Sequence, residues 1–367
     1  MSAALPFTPY KLGDIILNNR LVMAPMTRSR AINNVPNDLI AEYYAQRASS
    51  GLIITEGTSP SSNGLGYARI PGIFSNDQIE AWKKVTKGVH DKGGKIFVQL
   101  MHCGRVAHTA NLPEGAEIIA PSAIQVKGEI WTDAEGMQPY ALPQAATLEQ
   151  LALTKNEFVQ AAVNAIKAGF DGVELHAANG YLLEQFISPL TNQRTDEYGG
   201  SIENRTRFVV EVAKAVSEAI GANKTGIRLS PYGVNADTGY YEETDETHIY
   251  LAEELQKLNL VYLHLADHAA MGAPEVPQGI KRAIRQKFRN TLILSGGYDL
   301  ESAENDLGSG FANLVAFGRP FINNPDLTLR YKNEWPLETE LDFSTFYMPG
   351  AKGFTDYPFY KAQPVLQ

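Results

Sequence analysis

The sequence is poor in cysteine, with one such residue, Cys103, among 367. A single thiol excludes an internal disulfide framework and any iron–sulfur cluster held by four cysteines of this chain. A low cysteine content is compatible with a reducing compartment. Because a chain of this length can bury a large apolar core, folding needs neither a disulfide nor a metal. We interpret Cys103 as buried and unreactive, since no partner for an activated thiol is recognisable near it.

Long apolar runs and an excess of basic residues are also missing. No stretch reaches the roughly eighteen apolar residues of a membrane span, and the N-terminus lacks the basic and apolar regions of a secretory signal. The 32 basic and 41 acidic residues give a net charge of −9, which argues against nucleic acid as a partner. We expect a cytoplasmic protein that acts on small molecules, with no membrane partner, as a monomer or weak homodimer.

Eight short apolar segments alternate with longer amphipathic ones between Arg20 and about Asn333. Such runs are typical of parallel strands that are buried on both faces. Eight strands alternating with eight helices predict a (β/α)₈ TIM barrel of the α/β class, with residues 1–367 forming a single domain. An open doubly wound sheet is the alternative, but no G-x-G-x-x-G follows the first strand. The predicted strands span residues 20–26, 52–57, 95–101, 172–178, 225–231, 261–267, 291–297 and 313–319.

Local signals predict where individual helices begin. The segments 75–78 (SNDQ) and 154–157 (TKNE) have the spacing of capping boxes, and each precedes an apolar stripe. Asn324-Pro325 predicts a helix N-cap followed by proline at the first helical position.

Three parts of the chain fall outside the repeat. Residues 6–19 predict a hairpin that closes the floor of the barrel. The stretch from Cys103 to about Leu153 is too long for an ordinary loop after the third strand, and we expect it to cap the mouth of the site with a hairpin in IWTDAEGMQPY. The tail from Leu337 is rich in aromatic residues and glycine, and we expect it to fold back over the top.

The ends of the last two predicted strands indicate a phosphate site. In this fold the chemistry lies at the carboxyl ends of the strands, and phosphate often binds after strands seven and eight. Gly296 and Gly297 end the seventh strand, and Gly318 and Arg319 end the eighth. Free backbone N–H groups and a guanidinium can together bind a phosphate. The alternative is that the glycines form ordinary turns and that Arg319 is a surface residue.

Gln99 and Arg228 end the third and fifth predicted strands. An amide and a fixed cation facing the barrel axis suit a flat heterocycle that gains negative charge, as a flavin does at its N1/C2=O edge when reduced. The alternative, which the sequence leaves open, is an ion pair of Arg228 with Glu56 or Glu174 inside the barrel.

His176, Asn179 and Tyr181 follow the fourth strand at close spacing. A histidine and an asparagine can donate two hydrogen bonds to one oxygen, which polarises a carbonyl or nitro group. Tyr181 is then a candidate general acid. The alternative reads His176 as a satisfied core histidine and Tyr181 as a packing residue.

The segment His264-x-x-Asp267-His268 has the spacing of metal ligands. Because no further cluster of ligands accompanies it, we expect a loop and packing role. The sequence therefore predicts no metal site.

Read together, these residues resemble the Old Yellow Enzyme family of FMN-containing reductases, close to the bacterial members that reduce N-ethylmaleimide and nitrate esters. The resemblance covers essentially the whole chain, and the long segment that begins at Glu174 is its most specific part. It is carried by RLVMAPMTRSRA, GYARIPGIFS, VQLMHCGRVAH, ELHAANGYLLEQFISPLTNQRTDEYGGSIENRTRF, IRLSP, VAFGRPFINNPDL and FYMPGAKGFTDYP.

The resemblance implies an ene-reductase with a ping-pong mechanism. Bound FMN takes hydride at N5 from NADPH or NADH, and then passes it to an enone, a maleimide or a nitroalkene. His176 and Asn179 would hold the oxygen of the substrate, and Tyr181 would supply the proton. The walls of the substrate pocket would be Tyr67, Met101 and Tyr347. The FMN would be bound by Pro25, Met26, Thr27, Gly57, Gln99, Arg228, Gly296, Gly297, Gly318 and Arg319.

Three positions refine the resemblance. Thr27 stands where one branch of the family has cysteine, which implies a hydroxyl near the flavin C4=O edge. Met101 stands where many relatives have tryptophan, and a flexible thioether leaves the orientation of the substrate open. Gly57 stands where they have alanine.

Three other functions compete with this interpretation. A reductase of the dienoyl-CoA type needs a cysteine-ligated iron–sulfur cluster, which one cysteine cannot form. A flavin-free lyase or isomerase would use Arg228 and Arg319 to bind a sugar phosphate. A flavin-binding storage or sensor protein would need no residue in the role of His176 or Tyr181.

Overall fold

Eight parallel strands close into a barrel in the computed structural model, which describes residues 4–361. All eight predicted strands are present, so the predicted (β/α)₈ barrel is confirmed. The strands of the described residues are β1 (Tyr10–Leu12), β2 (Ile15–Leu17), β3 (Leu21–Met23), β4 (Leu52–Thr58), β5 (Ile96–Leu100), β6 (Ile119–Ala120), β7 (Glu129–Thr132), β8 (Gly136–Pro139), β9 (Gln144–Ala145), β10 (Gly172–Ala177), β11 (Thr225–Leu229), β12 (Tyr262–Ala266), β13 (Thr291–Ser295) and β14 (Leu314–Phe317). The barrel runs β3-β4-β5-β10-β11-β12-β13-β14 and closes between β14 and β3.

Helices cover the outside of the barrel. The main core joins helix residues such as Val85 and Val212 to strand residues such as Val98 and Leu175. Within residues 4–361 no helix combines the length and the apolar character needed to cross a bilayer. The α-helices are α1 (Asp38–Gln46), α2 (Asn76–His90), α3 (Leu148–Lys167), α4 (Leu182–Ile187), α5 (Ile202–Ile220), α6 (Thr244–Lys257), α7 (Gln278–Lys287), α8 (Leu300–Gly308), α9 (Arg319–Asn323) and α10 (Leu327–Lys332).

One of the two predicted capping boxes is confirmed. Ser75 and Gln78 exchange the expected side-chain and backbone bonds at the start of α2. The box predicted at 154–157 is wrong, because α3 begins at Leu148, where Thr147 and Gln150 form the reciprocal pair instead. A real capping box lies seven residues upstream, so the helix already runs through Thr154.

The helix start predicted at Asn324-Pro325 is also wrong. Asn324 ends α9, and α10 begins three residues later at Leu327. The Asn324 amide instead donates to the carbonyls of Pro320 and Glu338, at 3.0 and 2.9 Å. The asparagine therefore ties the end of α9 to the start of the C-terminal tail.

The floor hairpin is confirmed at β1 and β2, which pair antiparallel. Its Leu12 and Leu17 are fully buried in a second apolar cluster with Leu52 and Phe97 of the barrel. The hydroxyl of Tyr10 lies 2.8 Å from that of Thr291, the first residue of β13. The hairpin therefore closes the amino ends of the strands, and the carboxyl ends stay open.

The long excursion after β5 forms the predicted hairpin, in which β7 and β8 pair antiparallel. The tail also returns to the carboxyl ends of the strands, as predicted. Buried Arg30, on the loop after β3, donates to the carbonyls of Thr345, Phe346, Gly350 and Lys352, at 2.8–3.1 Å. The loop after β3 and the tail are thus held together at one end of the barrel.

Candidate active site

A cavity of about 1420 Å³ opens at the carboxyl ends of the barrel strands. Small-molecule sites usually measure roughly 300–1,000 Å³, so this one has room for a large ligand and a second, smaller one. Almost all the predicted site residues line it, and they come from seven of the eight strand ends and from the tail. These residues are Pro25, Met26, Thr27, Tyr67, Gln99, Met101, His176, Asn179, Tyr181, Arg228, Gly296, Gly297, Gly318, Arg319 and Tyr347.

Gly57 is the one predicted site residue that does not line the cavity. It is buried behind Met101, and a Cβ at this position would lie 2.6 Å from the methionine Cε. The two positions at which the sequence departs from many relatives are therefore in contact. Because residue 57 has no side chain, the Met101 thioether can occupy the space beside it.

Arg228 is buried, and it forms no salt bridge among the described residues. Its Nε has no hydrogen-bond partner within residues 4–361. Glu56 accepts from the backbone N–H of Arg28 instead, at 3.1 Å, and Glu174 is bound to Gln99 and His264. The alternative of an ion pair within the barrel is not observed, and Arg228 retains donors for a ligand.

The carboxylate of Glu174 organises the strands around Arg228. One oxygen accepts from Gln99 Nε2 at 2.8 Å, and the other pairs with His264 Nδ1 at 2.8 Å. Burial opposes the charge of Glu174, but His264, Arg228 and Gln99 outweigh it and hold its pKa below the usual value. His264 Nε2 lies 3.0 Å from the Ser295 hydroxyl. The loop position predicted for His264 is therefore wrong, because this residue is buried inside β12.

His176 and Asn179 line the cavity, and each has a polar atom without a hydrogen-bond partner in the part of the chain that the structure describes. These atoms are His176 Nδ1 and Asn179 Oδ1. Burial and the charge of Arg228 lower the pKa of His176 well below its usual value, so the imidazole is neutral near pH 7. A satisfied core histidine would have both ring nitrogens occupied, which is not what the structure shows. The pair can bind a ligand oxygen through one imidazole N–H and the asparagine amide.

Tyr181 lies beside His176, with ring centroids 5.0 Å apart. Its hydroxyl donates to the Tyr67 hydroxyl at 3.3 Å, and the two rings meet edge to face. Burial raises the pKa of Tyr181 above its usual value, so the phenol keeps its proton at neutral pH. The side chain therefore presents a proton at the cavity wall.

The sequence interpretation missed the residues that hold the turn between His176 and Tyr181. Asn179 adopts the left-handed conformation (φ 61°), and its N–H donates to the Ser230 hydroxyl at 2.8 Å. Ser230 in turn donates to Glu184 at 2.7 Å, and the N–H of Gly180 donates to the same carboxylate. Burial raises the pKa of Glu184 to about 7. A carboxylate within the mostly apolar stretch LLEQFI was the available signal.

The predicted phosphate loops converge at one end of the cavity. Gly296 and Gly297 both have positive φ (135° and 68°), and Cβ atoms there would lie 2.7 Å from Asp267 Cβ and 2.9 Å from Ala270 Cβ respectively. Only glycine allows this close approach of the two loops. Arg319 is exposed and donates to the Ala270 carbonyl at 3.1 Å.

The donor set fits FMN. A glycine-lined end with Arg319 can receive a phosphate, and the unpartnered Nε of Arg228 with the Gln99 amide can receive the polar edge of a flat ring. His176, Asn179 and Tyr181 remain free for a second ligand in the same cavity.

Comparisons with known proteins agree with this geometry. The model of a family described as NADH:flavin oxidoreductase / NADH oxidase matches residues 6–338. The chain is 42% identical over 365 residues to 12-oxophytodienoate reductase 1 of Oryza sativa subsp. japonica, covering 98% of this chain and 94% of that protein. It is 42% identical over 367 residues to chanoclavine-I aldehyde reductase of Penicillium roqueforti, covering 96% of each.

Solved structures of related reductases are also similar to this chain. Morphinone reductase superposes with a TM-score of 0.92 at 44% identity, covering 98% of both chains. An Old Yellow Enzyme homologue from Zymomonas mobilis has a TM-score of 0.92 at 42% identity, covering 96% of this chain and 99% of that one. A morphinone reductase variant in complex with tetrahydroNAD has a TM-score of 0.92 at 44% identity, covering 97% of this chain and 98% of that one.

The raised pKa of Glu184 predicts a pH dependence of stability. The carboxyl has a pKa of about 7 in the folded protein against 4.5 for the free side chain, so the folded state favours the protonated form. Stability that is present below about pH 4.5 is therefore lost as the pH rises to about 7, by roughly 3 kcal/mol. Glu184→Gln imitates the neutral acid and should flatten this decline, as measured by urea unfolding at pH 5 and pH 8. Exposed Glu301→Gln is the control, and equal pH slopes in Glu184→Gln and the parent protein would contradict the prediction.

Proposed function

The chain belongs to the NADH:flavin oxidoreductase / NADH oxidase family, and on this premise we propose that it is an ene-reductase that uses FMN and NADPH to reduce activated C=C bonds. The resemblance to the Old Yellow Enzyme family is confirmed by this match and by the likeness to a solved member. The observation that carries the proposal is one cavity that contains the unpartnered Nε of Arg228, the free polar atoms of His176 and Asn179, and the protonated phenol of Tyr181. We propose enones, maleimides and nitroalkenes as substrates.

FMN supplies reversible acceptance and donation of hydride when it is bound. Arg228 would stabilise the negative charge of the reduced ring, and the Glu174 carboxylate would hold the Gln99 amide against the same edge. Thr27, next to Met26 on the loop after β3, would place its hydroxyl near the ring. Gly296, Gly297, Gly318 and Arg319 would hold the phosphate, and Gly57 would act only through Met101.

His176 and Asn179 would bind the carbonyl or nitro oxygen of the alkene. Two donors at one oxygen withdraw electrons from the conjugated double bond and stabilise the charge that develops there. Tyr181 would deliver a proton to the alkene carbon next to the activating group. Tyr67, which accepts a hydrogen bond from the Tyr181 hydroxyl, would hold the phenol in place. Met101 and Tyr347 would form further walls of the pocket.

The nicotinamide and the alkene would use the cavity in turn, which gives a ping-pong mechanism. A morphinone reductase variant has been solved with tetrahydroNAD, a nicotinamide analogue. We propose NADPH over NADH on family resemblance alone. We also propose that residues 1–367 form one FMN-binding domain, present as a monomer or weak homodimer in the cytoplasm, in keeping with the single cysteine.

Arg319→Ala should weaken the binding of FMN. A charge-assisted hydrogen bond contributes roughly 1.5–3 kcal/mol, so the dissociation constant should rise by about 10- to 100-fold. The purified parent protein should be yellow, and the affinity of each apoprotein for FMN can be measured by quenching of flavin fluorescence. Arg289→Ala removes another exposed arginine and is the control. Unchanged affinity in Arg319→Ala would show that the phosphate binds elsewhere.

Tyr181→Phe should separate the two half-reactions. Reduction of the flavin by NADPH should stay close to the parent rate, because no substrate proton moves in that half. Re-oxidation by 2-cyclohexenone should slow by roughly 10²–10⁴, the usual contribution of a positioned general acid. A nitroalkene should restore turnover, because its nitronate product can leave and take a proton from water. Stopped-flow absorbance measures both halves.

His176→Ala should instead impair both the binding and the reduction of the enone, by roughly 10²–10³ in rate.

Exposed Tyr240→Phe serves as the control for Tyr181→Phe. If Tyr181→Phe turned over the enone at the parent rate, or lost only the reaction with NADPH, Tyr181 would not be the proton donor.

A further inference from the structure

Large apolar side chains are concentrated at the mouth of the cavity. Seventeen of them are exposed among the described residues, and six of these line this one cavity. Exposed apolar side chains that are scattered singly need no explanation, but a cluster around a ligand cavity marks a binding surface. The six are Trp131, Met137, Met271, Phe343, Tyr347 and Met348.

The hairpin β7–β8 contributes two neighbouring residues to this surface. Trp131 lies directly opposite Met137 in the antiparallel register, so the two side chains form a cross-strand pair on one face. They are 53% and 51% exposed. The indole N–H of Trp131 donates to Asp133 at 3.1 Å. Because its one polar group is already satisfied, the indole offers only an apolar surface to a ligand.

Arg69 fixes the hairpin to the tail. It forms an ion pair with Asp133 and donates to the Tyr347 carbonyl at 2.8 Å and to the Ser29 carbonyl at 3.0 Å. The charge of the arginine is thereby neutralised at the mouth. The hairpin that carries Trp131 and the tail segment that carries Tyr347 are therefore joined through this one side chain.

The surface is continuous with the reaction site. Asn111 donates to the carbonyls of both Trp131 and Gly66, at 2.9 and 3.0 Å. The residue after Gly66 is Tyr67, whose hydroxyl accepts from Tyr181. A group attached to an alkene beside Tyr181 would therefore pass along the hairpin on its way to solvent.

We propose that the mouth formed by Trp131, Met137 and Tyr347 binds a large, uncharged apolar substituent of the alkene substrate. The substrate class is then an activated alkene that carries an alkyl chain or an aromatic group beyond the reacting bond, and this inference rests on the proposed function. Glu129 lies on the same face of β7 as Trp131 and is exposed. Its negative charge disfavours a substituent that ends in a carboxylate.

A homologous series of ligands tests the proposal independently of turnover. N-alkylsuccinimides, the saturated products of N-alkylmaleimides, are titrated into the FMN-loaded protein by calorimetry. Affinity should rise by about twofold per methylene, which corresponds to half of the free energy of full burial, because the mouth covers only one side of the alkyl chain. From N-methyl to N-hexyl, which differ by five methylenes, the affinity should therefore rise by about 30-fold. In Trp131→Ser and Met137→Ser this N-hexyl to N-methyl ratio should fall several-fold. Exposed Leu148→Ser, whose side chain does not line the cavity, should keep the parent ratio.

The second part of the test varies the charge of the substituent. The saturated product of 6-maleimidohexanoic acid should bind more weakly than N-hexylsuccinimide, and Glu129→Gln should reduce that difference. An affinity that does not increase with chain length, or a ratio that Trp131→Ser and Met137→Ser leave unchanged, would overturn the proposal. If affinity increases with chain length but no maleimide is reduced, the proposed function fails and the apolar mouth stands.

Discussion

A buried carboxylate in the wall of the barrel, Glu174, is the constraint on which the candidate site depends. A charge without solvent is costly unless it is paired and hydrogen-bonded, and here both oxygens are occupied by Gln99 and His264. That arrangement leaves Arg228 close enough to be influenced by the charge, but not bonded to it. The barrel therefore contains a cation whose donors are available to a ligand.

A second buried carboxylate supports the substrate side in a different way. Glu184 forms no salt bridge among the residues that the structure describes, and it holds the turn at Asn179 through Ser230 and through the N–H of Gly180. Burial dominates here and raises the pKa of Glu184 to about 7, whereas the partners of Glu174 hold its pKa low. The permanent charge lies near the arginine that would face the cofactor, and the titrating group lies behind the residues that would bind the substrate.

Most of the fold was predictable because its determinants are local. Strands that are buried on both faces appear as short apolar runs, and their carboxyl ends identify the residues around the cavity. The start of α2 at Ser75 followed from four adjacent residues. The start of α3 was misjudged because two sequences with the same capping pattern lie seven residues apart, and only the packing of the whole helix distinguishes them.

The features that were not predictable depend on contacts between distant segments. The contact of Gly57 with Met101 arises from the pairing of β4 with β5. The ion pair of Arg69 with Asp133 joins the loop after β4 to the hairpin of the excursion. His264 has the spacing of a metal ligand in the sequence, but the register of β10, β11 and β12 places it beside Glu174. Periodicity carries no information about such partners.

The central claim is that one cavity holds FMN and receives a nicotinamide and an electron-poor alkene in turn. An anaerobic titration tests it most directly, in which the flavin absorbance of the purified protein is followed while NADPH and then 2-cyclohexenone are added. We expect one equivalent of NADPH to bleach the flavin, and one equivalent of the enone to restore the oxidised spectrum and yield cyclohexanone. A flavin that NADPH bleaches but neither enone, maleimide nor nitroalkene re-oxidises, or a protein that binds no flavin, would contradict the claim.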